Sequence, residues 1–142
     1  AKIEILCPNP DYLAYSELDV NYHSVVLRIE YGDFSCLLTG DIPAEVEQEL
    51  VRLGLADDCT VLKVPHHGSG LSSTPEFLAR LQPEVAVILV GRNIFGHPHP
   101  RVVESLKSIG ATVLRTDLNG TVRVITDGKT FTCDTVLGMN GE

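Results

Sequence analysis

The chain has 142 residues, of which 44% are hydrophobic, and a formal net charge of −8 at pH 7. This length suits one domain with its own core and is short for two domains. The acidic balance argues against a surface that holds nucleic acid through general positive charge, although a bound metal could supply positive charge locally. No apolar run approaches the roughly 20 residues that span a bilayer. Because the chain begins with a strand-like stretch and no initiator Met, we expect it to be a piece of a longer protein.

A hairpin and a helix are predicted in the first part of the chain. Residues 23–31 and 34–40 are typical of two strands, because apolar and polar residues alternate and a Gly-Asp pair separates the two runs. The second run is followed by a segment at 43–54 with proline at its start, glycine at its end and apolar residues at helical spacing. These features predict a helix there.

The middle of the chain twice repeats the order strand, loop, helix. A strand at 59–64 leads through a loop to a helix at 74–81, whose first residues are a threonine N-cap and a proline. A nearly unbroken β-branched run at 84–90 predicts a strand buried on both faces. The loop at 91–100 then leads to a helix at 100–110, which again begins with proline and ends with glycine.

The last part of the chain predicts three strands joined by turns at Asn119-Gly120 and Asp127-Gly128. The tail from about 135 to 142 is expected to be disordered. Strands that alternate with single helices place the chain in the α/β class, with a mixed β-sheet and helices on one face. Residues 1–142 are interpreted as a single domain.

Three loops at predicted strand ends carry side chains of the types that bind metals in proteins. Asp41 follows LLTG, His66 and His67 follow VLKVP, and His97 and His99 lie in FGHPHP. An Asp and several His on such loops are the ligands that a hard or borderline divalent metal prefers. Structural alternatives remain, since Asp41 and His99 could each cap the helix that follows. The two adjacent histidines are expected to have different roles, because neighbours on a strand face opposite ways.

A second kind of site is suggested by the small residues after His67. Ser69, Ser72 and Ser73 precede a predicted helix, and hydroxyl groups and backbone amides at that place favour phosphate. A purely structural loop is the alternative, because the GK[ST] ending of a P-loop is absent. A Ser-His-Asp triad has weak support, because no GxSxG elbow is present.

The segments LLTGD, KVPHHGS and GHPHP together resemble the metallo-β-lactamase-like domain at the C-terminus of ComEC proteins. ComEC proteins are membrane proteins that bring DNA into bacteria during natural transformation. The likeness runs in register from about Ser24 to about Val124. It implies half of an αββα fold, in which two αβ halves hold one or two metal ions, commonly zinc or manganese, along an edge between them.

The resemblance also implies roles for individual residues. Asp41 corresponds to the aspartate that bridges the two metals, and either His66 or His67 corresponds to the final histidine ligand. His97 and His99 match a motif of the ComEC-like group and would line the site and contact phosphate or the scissile oxygen. The implied reaction is hydrolysis of phosphodiesters in the non-transforming DNA strand by a two-metal mechanism.

One motif of the superfamily does not occur in this chain: the HxHxDH of the N-terminal half. Because a tight site needs at least three protein ligands, we expect weak or no metal binding and no activity from the chain by itself. The expected partners are DNA, the N-terminal half of the domain, the membrane channel of the same protein, or a second copy of the chain. The expected location is the bacterial cell membrane, with this domain as a soluble part on a side that the sequence does not identify.

Two other functions fit the same residues. The chain could belong to a non-catalytic module that positions DNA or supports the uptake channel. It could also belong to another hydrolase of the superfamily, such as a lactonase or a phosphorylcholine esterase. The retained Asp41 and histidines favour a nuclease over a purely structural descendant, which would not need them.

Overall fold

A computed structural model describes residues 1–8 and 20–139. The strands are β1 (Lys2–Cys7), β2 (Val26–Tyr31), β3 (Phe34–Leu38), β4 (Val61–Lys63), β5 (Val85–Ile88), β6 (Thr112–Arg115), β7 (Val122–Thr126) and β8 (Phe131–Thr135). The helices are α1 (Ala44–Arg52), α2 (Pro75–Leu81), α3 (Pro100–Ser108) and the single turn α4 (Thr116–Asn119). Short 3₁₀ turns lie at Val20–His23 and Pro65–Gly68. The predicted α/β class is confirmed.

The first six strands form one mixed sheet in the order β1 to β6. The pairs β1–β2 and β2–β3 are antiparallel, and the pairs β3–β4, β4–β5 and β5–β6 are parallel. The predicted hairpin is therefore β2–β3. Because β3, β4 and β5 are parallel neighbours, the loops that follow them emerge at the same edge of the sheet.

The helices α1, α2 and α3 pack on one face of this sheet. Leu37, Leu62 and Ala86 pair in register across three strands and are fully buried in one cluster with side chains from all three helices. The main helical members of the cluster are Val46, Leu50, Phe77, Leu78, Leu81, Val102 and Leu106. Each such buried side chain stabilises the fold by about 1.5–3 kcal/mol relative to leaving it in water.

The hairpin β7–β8 covers part of the opposite face. It packs on a second cluster of Val61, Val85, Val87 and Leu114, and the ring of Phe131 lies 5.9 Å from that of Phe34. The sequence predicted three successive strands at this end, and three are present. However, β6 and β7 do not pair, because the helical turn α4 redirects the chain to the other side of the sheet. The predicted turn at Asp127-Gly128 connects β7 and β8.

The end of the chain continues past β8 as a turn. The Val136 amide donates to the carbonyl of Thr121, and the Leu137 amide donates to that of Asn119. Of the tail that was expected to be disordered, residues 140–142 lie outside the described residues. Over the two described ranges, no helix is long and apolar enough to cross a bilayer.

Among the described residues, one part of the hairpin-side face is left exposed. Ile3 and Ile5 lie on that face at the β1 edge, because Ile3 pairs with Ile29 and Ile29 pairs with Cys36, which belongs to the hairpin-side cluster. Their side chains are 67% and 68% exposed. Within residues 1–8 and 20–139, this strip is therefore an exposed apolar part of the sheet.

Candidate functional site

Three loops bring most of the predicted site residues to one edge of the sheet. Asp41 follows β3, the His66-His67 pair follows β4, and His97 lies in the loop after β5. The loops are joined by hydrogen bonds, since the His66 amide donates to the Gly40 carbonyl at 3.2 Å. The Asp41 amide in turn donates to the Ser24 hydroxyl at 3.1 Å. The sheet topology therefore assembles side chains that are up to 56 residues apart, from Asp41 to His97.

A carboxylate and an imidazole face each other at this edge, from Asp41 and His67. Oδ2 of Asp41 lies 3.5 Å from Nε2 of His67, and Nδ1 of His67 lies 2.6 Å from the carbonyl oxygen of Leu89. A carbonyl only accepts hydrogen bonds, so Nδ1 must carry a hydrogen. A neutral His67 then points the lone pair of Nε2 at a carboxylate. A cation held between the two atoms would therefore be attracted by both.

The backbone of the histidine pair is strained. His66 and His67 both have left-handed conformations, with φ of 47° and 55°, and Gly68 follows with φ of 78°. Each left-handed non-glycine residue costs about 1–2 kcal/mol. The two rings make different contacts, as predicted: His67 faces Asp41, and His66 meets His97 edge-on with ring centroids 5.8 Å apart. However, neither residue continues the strand, so the expected alternation along β4 is not what separates them.

Lys63 is a site residue that the sequence analysis did not identify. Its ammonium donates to the Gly40 carbonyl and lies 3.3 Å from Oδ1 of Asp41. Burial lowers the pKa of Lys63, and the neighbouring Asp41 carboxylate opposes this shift. A lysine in a short strand gives no signal of such a role, because its partner comes from a different strand end.

His97 lies between two rings. Phe95 stacks on it at 5.9 Å with an interplanar angle of 24°, and His66 approaches from another side. Partial burial of the ring lowers the pKa of His97, and the neighbouring histidines 66, 67 and 99 lower it further. The surroundings therefore favour a neutral imidazole at this position.

His99 and Asp41 differ in whether they cap a helix. Nδ1 of His99 accepts a hydrogen bond from the Arg101 amide at 3.2 Å, so His99 is the N-cap of α3. Asp41 does not cap α1, whose N-cap is Pro43 without a side-chain hydrogen bond. His99 therefore has the helix-capping role that was its structural alternative. Asp41 has no capping role and instead contacts Lys63 and His67.

The three serines of the predicted phosphate loop are buried. Ser69 is 3% exposed, and Ser72 and Ser73 are 0% exposed. The Ser69 hydroxyl accepts from the Leu71 amide, and the Ser72 hydroxyl donates to the Ile42 carbonyl at 2.9 Å. These contacts match the structural alternative, and in this conformation the serines have no access to a phosphate.

The serine loop is held by two charged side chains that sequence reasoning missed. Glu47 of α1 is fully buried and accepts from the amides of Ser73 and Thr74 at 2.6 and 2.8 Å. Burial raises the pKa of Glu47, and these two hydrogen bonds oppose the shift. From the other side, Arg101 donates to the carbonyls of Gly70 and Ser72. A glutamate in a helix normally predicts an exposed residue, so only the packing identifies this one.

The donors at this edge fit one side of a divalent metal site. Asp41 Oδ2 and His67 Nε2 face each other, and the second nitrogen of His67 is fixed by a carbonyl, as is usual for metal-binding histidines. Within residues 1–8 and 20–139, however, no group of three or more His, Cys, Asp or Glu could hold a metal ion. The described residues alone therefore do not complete a metal centre.

Comparison with known proteins identifies relatives among competence proteins, although no protein-family model matches the chain. The chain is 44% identical over 72% of its length to ComE operon protein 3 of Bacillus subtilis. It is 42% identical over 73% to Recombination protein 2 of Haemophilus influenzae and 38% identical over 75% to Competence protein ComA of Neisseria gonorrhoeae. It spans only 13%, 13% and 16% of the lengths of these three proteins. Over about three quarters of its length, the chain is therefore similar to one short segment of each of these three proteins.

Proposed function

We propose that this chain is part of a domain that hydrolyses phosphodiester bonds of DNA during uptake, within a membrane protein of the ComEC family. The observation that carries the proposal is the Asp41–His67 contact, in which an imidazole nitrogen faces a carboxylate oxygen at 3.5 Å. The hydrogen bond from the other ring nitrogen to Leu89 leaves this nitrogen able to bind a metal. The metallo-β-lactamase-like fold of the whole domain is part of the same proposal.

Each residue at the edge has a distinct role in this proposal. Asp41 and His67 are two of the metal ligands, which selects His67 over His66. Lys63 holds Oδ1 of Asp41 and leaves Oδ2 directed at His67. His97 is kept neutral and lies beside the ligands, where it can accept or donate a hydrogen bond to substrate. A zinc or manganese ion held by these ligands and by residues outside this chain would supply Lewis-acid chemistry to a phosphodiester.

The proposed partners are DNA, the remaining half of the domain and the membrane channel of the same protein. The bare strip at Ile3 and Ile5 supports the second of these, because exposed β-branched side chains in a strand mark a surface that another element covers. A second copy of the chain is the alternative cover. Light scattering after size-exclusion chromatography separates these cases, since the proposal expects the chain alone to be a monomer and a dimer would support self-association.

A non-catalytic module of the uptake channel is the second candidate function. It is favoured by one observation: in the part of the chain that the structure describes, only two donors face each other and no third joins them. Under this alternative Asp41 and His67 would form an ion pair with a protonated imidazole, which positions the loops and takes no part in a reaction.

The decisive experiment measures cleavage of linear DNA by the full-length protein with Mn²⁺. We expect Asp41→Asn to lower the cleavage rate at least a hundredfold, because it removes the charge that faces His67. Asp134→Asn is the matched control, since this aspartate lies on the β7–β8 hairpin and pairs with the exposed Arg123. Unchanged cleavage by Asp41→Asn removes Asp41 from the mechanism. A full-length protein that binds DNA and does not cleave it supports the non-catalytic module.

A second experiment tests the expected weakness of metal binding by the chain alone. Isothermal titration with Zn²⁺ or Mn²⁺ should show no sub-micromolar site, because two donors are too few for a tight one. Sub-micromolar affinity that is lost in Asp41→Asn would show that the chain completes its own metal centre.

A further inference from the structure

The loop after β5 forms a pocket beside the candidate site. The pocket has a volume of about 400 Å³, and its wall includes the ring of His67. Other residues that line it are Leu89, Arg92, Asn93, Phe95 and His97. Arg92, Asn93 and Phe95 have no role in the proposed hydrolysis, so the pocket adds a surface that the proposed function leaves unexplained.

The tip of the loop exposes an aromatic ring. Phe95 is 76% exposed, and one of its faces stacks on His97 at 5.9 Å. A phenylalanine that packs in no core leaves a large apolar area in water, and the stack on His97 fixes the plane of the ring. The opposite face of Phe95 is therefore an oriented flat platform at the mouth of the pocket.

One side chain, that of Asn93, makes four hydrogen bonds within the loop. The Asn93 amide nitrogen donates to the carbonyls of Gly91 and His97 at 2.9 and 2.8 Å. The Asn93 carbonyl oxygen accepts from the amides of Phe95 and His97, both at 3.0 Å. Four hydrogen bonds thus hold the loop in one conformation before any ligand arrives. A preorganised platform loses little entropy on binding.

The charge of the loop after β5 indicates which kind of ligand the pocket binds. The loop at residues 89–99 contains Arg92 and no Asp or Glu, although the chain carries a net charge of −8, and Arg92 lines the pocket. A locally basic segment with an oriented aromatic ring suits an anion that also carries a flat π-system. A strand of nucleic acid has both, because each nucleotide pairs a phosphate with a base. A lipid surface fits less well, since stable attraction to anionic lipids takes a cluster of basic residues.

We propose that this pocket binds one nucleotide of single-stranded DNA next to the scissile phosphate, with its base stacked on Phe95 and its phosphate near Arg92. The proposal rests on the proposed function for the identity of the polymer and deepens it by assigning a base-binding subsite. It also predicts weak sequence preference, because every base offers a π-face for stacking. Only unpaired bases can reach the platform, so the subsite favours single strands over duplex.

Two variants of the intact chain test the stacking directly, with EDTA present so that binding is measured without metal or cleavage. The chain contains no Trp, so Phe95→Trp introduces a single fluorophore at the platform. Tyr31→Trp is the matched control, because Tyr31 is an exposed aromatic residue at the opposite edge of the sheet. The probes are a dT 12-mer and an abasic 12-mer with the same phosphates, at low salt.

We expect the dT 12-mer to quench Phe95→Trp in a saturable way, and the abasic 12-mer to leave its fluorescence unchanged. Tyr31→Trp should respond to neither probe. In anisotropy titrations, Phe95→Ala should raise the Kd for the dT 12-mer by about 5- to 150-fold, the range for one base–aromatic stack, and leave the Kd for the abasic 12-mer unchanged. Circular dichroism checks that the variants keep their fold.

Several results would overturn the proposal. They are equal quenching by both probes, an unchanged Kd for the dT 12-mer in Phe95→Ala, or no saturable binding of the dT 12-mer up to millimolar concentration. A change of Phe95→Ala in oligomeric state alone would identify the loop as a protein interface. These results are independent of cleavage: loss of metal-dependent activity in Asp41→Asn concerns the proposed function, whereas quenching in EDTA concerns only the base subsite.

Discussion

Replacing Gly68 by alanine tests the contact between the strained histidine turn and the loop that carries His97. Gly68 has φ of 78°, and a Cβ atom placed on it would lie 2.7 Å from Cβ of Pro98. The carbonyl of Gly68 also accepts a hydrogen bond from the His99 amide at 2.8 Å. The two loops therefore meet at a backbone surface with no room for a methyl group.

The matched control is Gly96→Ala. Gly96 has φ of 76°, nearly that of Gly68, but a Cβ atom there meets nothing within 4 Å. The control therefore measures the cost of a left-handed alanine, about 1 kcal/mol, without a clash. Gly68→Ala should cost this amount and a further 1–3 kcal/mol, roughly the cost of one extra methyl group in a packed interior.

Urea unfolding followed by far-ultraviolet circular dichroism gives both free energies of unfolding. We expect Gly68→Ala to be less stable than Gly96→Ala by at least about 1 kcal/mol, with a similar dependence on urea. A difference below about 0.5 kcal/mol would refute the close packing of Gly68 on Pro98, and with it the idea that the two loops form one unit.

Three further predictions concern single side chains. Glu47→Ala leaves two buried amides without an acceptor and should lower the free energy of unfolding by about 2–4 kcal/mol in the same urea assay, and a change below about 1 kcal/mol would contradict this. Burial raises the pKa of the Cys36 thiol from 9.0 to about 11, so at pH 8 iodoacetamide should label it about a hundredfold more slowly in the native chain than in urea. The native rate should rise about tenfold per pH unit above pH 8, and equal rates in both states would contradict the burial. Asn93→Ala should speed hydrogen exchange of its two partner amides at least tenfold while stability changes by less than about 1 kcal/mol, and unchanged exchange would show that other contacts order the loop.

The sequence predicts most of the elements because their signals are local. Thr74 accepts a hydrogen bond from the Phe77 amide as the N-cap of α2, and Pro75 takes the first helical position, both as the sequence indicated. The β7–β8 turn at Asp127-Gly128 is equally local. What the sequence could not show is that β7 leaves the sheet, because this depends on packing between distant residues such as Phe34 and Phe131.

The candidate site was also predictable in part from the sequence. Strand-end position was enough to select Asp41 and the histidine pair, because parallel strands deliver their following loops to one edge. Strand-end position did not show which of His66 and His67 faces Asp41. This depends on the left-handed backbone conformation of both residues, which no pattern of side chains indicates. Lys63 and Glu47 were missed for a common reason: each has its partners on another element, so its environment exists only in the folded chain.

The strand order has a consequence for how the chain is made. Every strand of the main sheet pairs with the strand just before it in the sequence, so each can add to an existing edge as synthesis proceeds. Asp41, His67 and His97 enter in that order, and the edge that carries them is complete once β5 and its loop have emerged. The hairpin β7–β8 is synthesised afterwards and packs on strands that have already formed. Nascent chains in which the residues up to about Ser108 have left the ribosome should therefore already hold the edge with the candidate site, with the hairpin-side core still open to solvent.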